Sequence, residues 1–395
     1  MNEHEVVVLS GVRTAVGKYG GGLKDIPPTD LGAACAKEAI ARSGIGAEEV
    51  EYVVFGNVIH TDPKDMYLSR VVGVKAGVPH NAPALTVNRL CGSGLQAIVS
   101  AAQSILLGDV KVALGGGAEC MSRSQYWLPG LRWGQRMNDG TVIDAMVGAL
   151  TDPFDEVHMG VTAENVACKW NISREDQDRL AVEGHRRAIH AIQHGIFKEQ
   201  IIPIEIPSKK KTVLFDTDEQ PRADVTLEGL AALKLAFDRS GTVTAGNASG
   251  LNDGAAAVVL MEARAAKERG LKPMARLLAY SVVGVDPKYM GIGPVPAIKQ
   301  ALAKAGLSVS DIDVFEVNEA FAAQALAVIR DLNLPPEKTN PNGSGVALGH
   351  PLGATGAILT VKALYELRRR GGRYAVVSMC IGGGQGIAAV FEAVG

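Results

Sequence analysis

The chain has 395 residues, 47% apolar and 21% charged, which is long enough for two or three domains with substantial cores and too apolar for a disordered protein. Its formal net charge of −2 offers no attraction to nucleic acid or to an anionic membrane, and no uninterrupted apolar run reaches the roughly 18 residues of a membrane span. The five cysteines (35, 91, 120, 168 and 380) are odd in number, scattered and free of any C-x-x-C pair, which argues against a disulfide framework or zinc site and fits a reducing cytoplasm.

The acidic opening Met1-Asn2-Glu3-His4-Glu5 resembles neither a signal nor a transit peptide, and it passes into a predicted strand over 6–9. A Gly-rich loop follows, then a helix to about Arg42, with Thr29-Asp30 as its cap and Gly44 as its stop. Residues 51–55 read as the next strand. The apolar, β-branched run Ala84-Leu85-Thr86-Val87 reads as a buried strand that meets Cys91 and a Gly-x-Gly turn, after which residues 98–107 read as a buried helix. A thiol at such a turn lies where unpaired N–H groups and the positive end of the helix dipole point, so the position predicts a nucleophilic thiolate at Cys91. Gly92-x-Gly94-x-x-Ala97 also matches a loose dinucleotide fingerprint. That motif wants an acidic residue about 20 positions on, at the end of the second strand. Here the strand from Val110 is expected to end at Gly115, with Glu119 beyond three glycines, and dinucleotide binding has no use for a preceding Cys.

From Met121 to Gly250 the strand–helix alternation lapses, and this segment reads as an insertion. Within it, Ser173-Arg174-Glu175-Asp176 carries a capping signal for a helix through His194, and Lys209-Lys210-Lys211 reads as a solvated hairpin. Beyond the insertion the chain repeats itself at a fixed offset. Ala39–Ile45 lies over Ala301–Leu307, Glu49–Glu51 over Asp311–Asp313, and Gly94 over Gly356. Two related βα halves follow from this: residues 1–120 (completed by about 251–271) and residues 272–395, with 121–250 hung on the first.

If the halves pack as a pseudo-dimer, four turns can converge. They are the Cys91 turn; Val317-Asn318-Glu319-Ala320-Phe321, where a strand ends and a helix begins; the Gly-rich loop 345–356 around His350; and the loop 378–386 around Cys380 and Gly382. Together they hold a thiol nucleophile, an imidazole base, a second thiol, an amide and several glycine N–H donors. That inventory suits acyl transfer through a covalent thioester with oxyanion stabilisation.

Asn88–Gly94, Asn318-Glu319-Ala320-Phe321, Gly349-His350-Pro351-Leu352-Gly353 and Cys380–Gly386 resemble the four active-site blocks of the thiolases, and the resemblance spans essentially the whole chain. It is nearest the bacterial β-ketothiolases of the biosynthetic acetyl-CoA acetyltransferase group, with broader-chain degradative thiolases as the alternative. Two departures, Ser344-Gly345-Val346 after Asn342-Gly343 and Cys120 where Ser is frequent, lie outside those blocks. The resemblance implies an α/β thiolase fold: two duplicated βα halves in five αβαβα layers, with the insertion as a loop domain that holds coenzyme A. It also implies roles. Cys91 is acylated, and His350 activates it and serves one oxyanion hole with a water on Asn318. Cys380 moves the proton of the attacking carbon or the CoA thiol, and the N–H groups of Cys91 and Gly382 form the other hole. His158, Met159, Arg222, Ala248, Ser249, Gly250, Ala320 and Phe321 resemble CoA-channel positions. The implied substrates are acyl-CoA and CoA, with no metal or other cofactor, in a cytoplasmic homo-oligomer built as a dimer of dimers. A decarboxylating condensing enzyme would carry His or Asn where Cys380 stands. A non-catalytic acyl-CoA binder would not need the complete set.

Overall fold

The computed structural model describes residues 5–207 and 212–394. The lysine run 209–211 and the first four residues lie outside these bounds. Nine strands form the main path of one hydrogen-bonded sheet. They are β1 (Val6–Thr14), β2 (Tyr52–Gly56), β3 (Ala84–Val87), β4 (Val112–Cys120), β5 (Asn252–Glu262), β6 (Ala275–Gly284), β7 (Val314–Val317), β8 (Tyr374–Ile381) and β9 (Gln385–Ala393). Their spatial order is β7-β8-β9-β6-β1-β5-β4-β2-β3. The order reads as the same arrangement twice. In the first half β1, β5 and β4 are antiparallel neighbours, and β4, β2 and β3 run parallel. In the second, β6, β9 and β8 are antiparallel neighbours and β7 runs parallel to β8, with a bridge from Phe315 to Thr339 beyond it. Antiparallel contact between β1 and β6 at Val7–Arg276 and Val8–Ala275 joins the halves.

Seven helices matter for the layering and the site. They are α1 (Pro28–Ser43), α2 (Ser93–Leu106), α3 (Met159–Lys169), α4 (Arg174–Gln193), α5 (Pro294–Ala305), α6 (Ala322–Leu332) and α7 (Leu352–Arg370). Successive strand residues point to opposite faces, so β2 sends Val53 and Phe55 against α1 and Val54 toward the middle of the molecule. That middle layer is α2 and α7, whose Leu95, Ile98, Ala101, Ala357 and Val361 share one core with both halves of the sheet. On the far side Ile298 and Leu302 of α5 and Val328 of α6 cover Phe315, Val376 and Val390. The layers therefore run α1, first half of the sheet, α2 with α7, second half of the sheet, α5 with α6: the expected αβαβα stack. Among the described residues no helix is long and apolar enough to cross a membrane.

The repeat explains a close contact at the centre. Gly94 and its counterpart Gly356 meet where α2 crosses α7, and a Cβ on Gly356 would come within 2.3 Å of the Leu95 backbone nitrogen. Only residues without side chains allow the backbones so near.

Three local expectations are corrected. Helix α1 begins with Pro28 at its first position and has no side-chain cap, so Thr29 and Asp30 sit inside its first turn. Proline fits there because its missing N–H would be unpaired anyway. Strand β4 does not stop at Gly115 but continues, fully buried, through the three glycines to Cys120. A Cβ on Gly116 would meet the Ala256 carbonyl at 2.4 Å, and one on Gly117 the Gly353 carbonyl at 2.2 Å, so the glycines admit neighbours rather than end the strand. Finally, Ser378 to Ile381 belong to β8, and only Gly382–Gly384 form the turn into β9. The predicted capping of α4 stands: Ser173 Oγ accepts from the Asp176 N–H at 3.0 Å.

Candidate active site

Cys91 sits between the end of β3 and Gly92, the residue that opens α2. The turn is held tightly. Leu90 has φ of 45°, a left-handed conformation that is costly for a branched side chain and persists only when its surroundings impose it. Here the Ser93 hydroxyl donates to the Leu90 carbonyl at 2.7 Å and accepts from the Arg89 N–H at 2.8 Å. Asn88 Oδ1 takes the Leu90 N–H at 2.9 Å, and Arg89 reaches Gln385 of β9 at 3.1 Å. Cys91 is half-buried and packs on Leu352, two residues after His350.

The thiolate expected from the helix dipole is not the resting form. Burial pushes the Cys91 thiol up to about 11, against hydrogen bonds from the Gly382 N–H and its own N–H, and the buried carboxyl of Glu119 adds to the rise. Removing the sulfur's hydration outweighs the partial charge of a helix end. Those two N–H groups nonetheless converge on the sulfur, which is the arrangement expected of a donor pair for an oxyanion formed there. Cys380 lies fully buried in β8; burial raises its thiol, and the nearby Cys91 adds to the rise.

His350 is buried between Gly349 and Pro351, and burial lowers its imidazole to about 4, so the ring is neutral at physiological pH. Its backbone N–H donates to Asn252 Oδ1 at 2.9 Å, while Gly349 has φ of 102° and would place a Cβ 2.4 Å from the Asn252 side chain. Around the ring, Nδ1 is 2.6 Å from Thr355 Oγ1 and Nε2 is 3.4 Å from Asn318 Nδ2. Asn318 follows β7 directly, and its N–H bonds the Ser378 carbonyl of β8 at 2.9 Å. Its Oδ1 is buried beside Gly345 without a hydrogen-bond partner among the described residues.

Residues between 121 and 250 pack beside Cys380. His158 caps α3 through Nδ1, which accepts the Gly160 N–H at 3.0 Å. Its ring stacks on Phe237, centroids 4.6 Å apart, and Phe237 meets Phe321 edge-on at 6.1 Å. Met159, Ala320, Phe321 and Cys380 share one apolar cluster with Met290, Phe237 and Ala248. The Ser249 N–H donates to the Ala320 carbonyl at 2.9 Å, and Gly250 packs beside Asn252 and Gln220. Arg222 stands apart. It lines a cleft on α4 with His185, Arg186 and His190, and its N–H donates to His185 Nδ1 at 3.2 Å.

Several residues here carry no signal in the sequence. Phe237 and Met290 are isolated apolar residues, and Asn252 and Thr355 look like ordinary polar positions. Glu119 is another. Its buried carboxyl, raised by burial to about 7, accepts from Asn57 Nδ2, the Val58 and Ile59 N–H groups and, at 2.8 Å, the Gly353 N–H. It thereby ties the loop after β2 to the start of α7. Among the described residues no cluster of His, Cys, Asp and Glu could hold a metal ion.

Comparison with known proteins agrees with this geometry. Residues 6–264 match the model of the thiolase N-terminal domain and residues 271–393 that of the C-terminal domain. Beta-ketothiolase BktB of Cupriavidus necator is 64% identical over 389 residues, covering 98% of this chain and 99% of that protein. The crystal structure of the Bacillus anthracis acetyl-CoA acetyltransferase superposes with a TM-score of 0.97 at 48% identity, covering 99% of each chain. Human mitochondrial 3-ketoacyl-CoA thiolase in complex with CoA does so with a TM-score of 0.96 at 47% identity, covering 99% of this chain and 98% of that one.

Proposed function

The chain belongs to the thiolase family, and from that premise we infer that its site condenses two acyl-CoA thioesters reversibly into a 3-ketoacyl-CoA and free CoA through an acyl thioester on Cys91. The observation that carries the reading is the neutral, buried His350 beside Asn318, in a site where two N–H groups converge on the Cys91 sulfur and Cys380 lies next to it. The condensing reading is favoured by 64% identity to a beta-ketothiolase and 48% to an acetyl-CoA acetyltransferase, both of Cupriavidus necator.

The proton inventory closes without an external acid or base. At rest both thiols are protonated and the imidazole is neutral, so the buried site carries no charge on these three groups. His350 takes the Cys91 proton as the sulfur attacks the acyl carbonyl, whose oxygen is received by the N–H groups of Cys91 and Gly382. Cys380 protonates the departing CoA sulfur, which leaves an imidazolium and a Cys380 thiolate that stabilise each other. Cys380 then removes the α-proton of the second acyl-CoA, while the imidazolium Nε2–H and a water on Asn318 Oδ1 hold the enolate oxygen. The enolate attacks the acyl-Cys91 carbonyl, Cys91 leaves, and His350 returns its proton. These steps make and break only C–C, C–S and proton bonds, so acid–base chemistry at three side chains suffices and no cofactor is required.

His158, Met159, Ala248, Ser249, Gly250, Ala320 and Phe321, with Phe237 added, form the channel for the CoA thioester arm. Arg222, on its separate cleft, suits the distal phosphates. Leu128, Leu131 and Trp133 in the inserted segment are exposed, which suits burial in a dimer of dimers. The enzyme works in the cytoplasm, whose reducing conditions keep both thiols free.

The direct test follows the ultraviolet absorbance of the Mg²⁺ complex of acetoacetyl-CoA on addition of CoA. Loss of signal with the parent protein, and none with Cys91→Ser, is the expected result. A signal that persists with the parent would refute the reading.

A further inference from the structure

An imidazole can act as base on Cys91 only if the lone pair is on the nitrogen that faces the thiol, and the other nitrogen decides this. His350 Nδ1 lies 2.6 Å from Thr355 Oγ1, and both residues are buried. Thr355 stands in the first turn of α7, and its hydroxyl is also 3.1 Å from the Pro351 carbonyl, four residues back. Such back-bonding to the i−4 carbonyl is a habitual use of a helical threonine hydroxyl. A hydroxyl has one proton, so the hydroxyl that donates to Pro351 must accept from the ring.

We propose that Thr355 is the positioning residue that fixes the His350 tautomer: its hydroxyl donates to the Pro351 carbonyl and accepts the Nδ1–H, which leaves the lone pair on Nε2, the nitrogen on the Asn318 side of the ring. The inference rests on the acyl-transfer reading above. Three further anchors leave the ring little freedom to choose otherwise. Asn252 holds the His350 N–H, the φ of 102° at Gly349 and the ring of Pro351 set the turn, and Asn318 offers an amide N–H toward Nε2.

The choice of a hydroxyl is itself informative. A carboxylate at this position would stabilise the imidazolium and raise its pKa. A hydroxyl orients the ring equally well while remaining neutral. His350 is accordingly held in the uncharged form by burial. The proton then moves to the ring only as the thiol attacks. The repeat supplies an internal control. Thr355 falls at the position Ser93 occupies in the first half, and the Ser93 hydroxyl also donates to one local carbonyl and accepts from one local N–H. In the second half the accepting side of that hydroxyl is turned to a catalytic ring instead.

The test compares Thr355→Val, Thr355→Ala and Thr355→Ser with the parent, alongside His350→Asn. Removing the hydroxyl is expected to lower kcat by about 10- to 100-fold, as losses of orienting partners do, with KM for CoA within about twofold. Serine should restore turnover to within about threefold, because it keeps the hydroxyl. Nitrogen-15 spectra of histidine-labelled parent should show His350 protonated at Nδ1 and bare at Nε2, and the alanine variant should show a mixture. The proposal is overturned by kcat within about twofold of the parent in the valine or alanine variant, by serine falling as far as valine, or by a parent ring protonated at Nε2. If the valine variant does not fold, the alanine–serine contrast and the parent spectrum still decide. A His350→Asn variant that keeps activity would overturn the acyl-transfer reading itself. Its inactivity beside a fully active Thr355→Ala would overturn only the present inference.

Discussion

The two central helices are counterparts in the repeat, and their first turns hold different groups. Helix α2 opens after Cys91 and α7 after His350, their glycines 94 and 356 touch at the crossing, and Ser93 and Thr355 hold equivalent places. In the first half the hydroxyl locks a strained backbone, so that the sulfur is presented in one direction. In the second it meets a side chain, so that a ring is presented in one direction. A duplicated scaffold thus holds Cys91 and His350 just before its two central helices, each beside a hydroxyl that fixes its surroundings.

Breaking the second helix start should have the larger consequence for chemistry. His350→Asn removes the base and an oxyanion donor together, and turnover is expected to fall by at least about 10³, with melting temperature little changed. Thiolysis within tenfold of the parent would make His350 a structural residue. Dissecting the two thiols comes next. Cys380→Ser should still acquire an acetyl group on Cys91, more slowly because the departing CoA sulfur loses its acid, seen as an intact-mass increase with acetyl-CoA, while condensation falls by about 10²–10⁴. Cys91→Ser should lose both, and equal loss of acylation in the two variants would contradict their separate roles.

The crossing itself can be stressed without touching either group. Gly356→Ala forces a Cβ to within 2.3 Å of the Leu95 nitrogen, and overpacking of this kind costs about 1–3 kcal/mol in denaturant unfolding. An unchanged midpoint would mean that the helices separate easily.

The gentlest probe is pH. The folded imidazole titrates near 4 and the unfolded one near 6.5, so below 6.5 the unfolded chain binds the proton first and stability falls with falling pH. The parent should lose about 2 kcal/mol more than His350→Asn between pH 7 and pH 5, an order-of-magnitude figure read from denaturant titrations. Parallel losses would show that the ring is solvated.

Much of this was legible in one sequence because the constraints are local. Strand-to-helix turns, αL glycines such as Gly44 and Gly306 after their helices, and the repeat offset all come from backbone sterics acting over a few residues. The four loops around Cys91, Asn318, His350 and Cys380 could be picked out for the same reason. The misreadings are equally physical. Three glycines in a row look like the end of a strand unless one knows that the Ala256 and Gly353 carbonyls press against them. A cysteine before a helix looks ionised until its burial is known. Phe237 and Asn252 are unremarkable residues made important by what packs on them.

By itself, then, the sequence determined the duplicated βα halves and the chemical inventory of thiol, imidazole, amide and glycine N–H, because each is written in residue types and their spacing. Tertiary structure alone decided the protonation of that inventory. Burial holds Cys91 and Cys380 as thiols and His350 as a neutral ring, and desolvation of that kind arises only when separate segments close over the same few atoms.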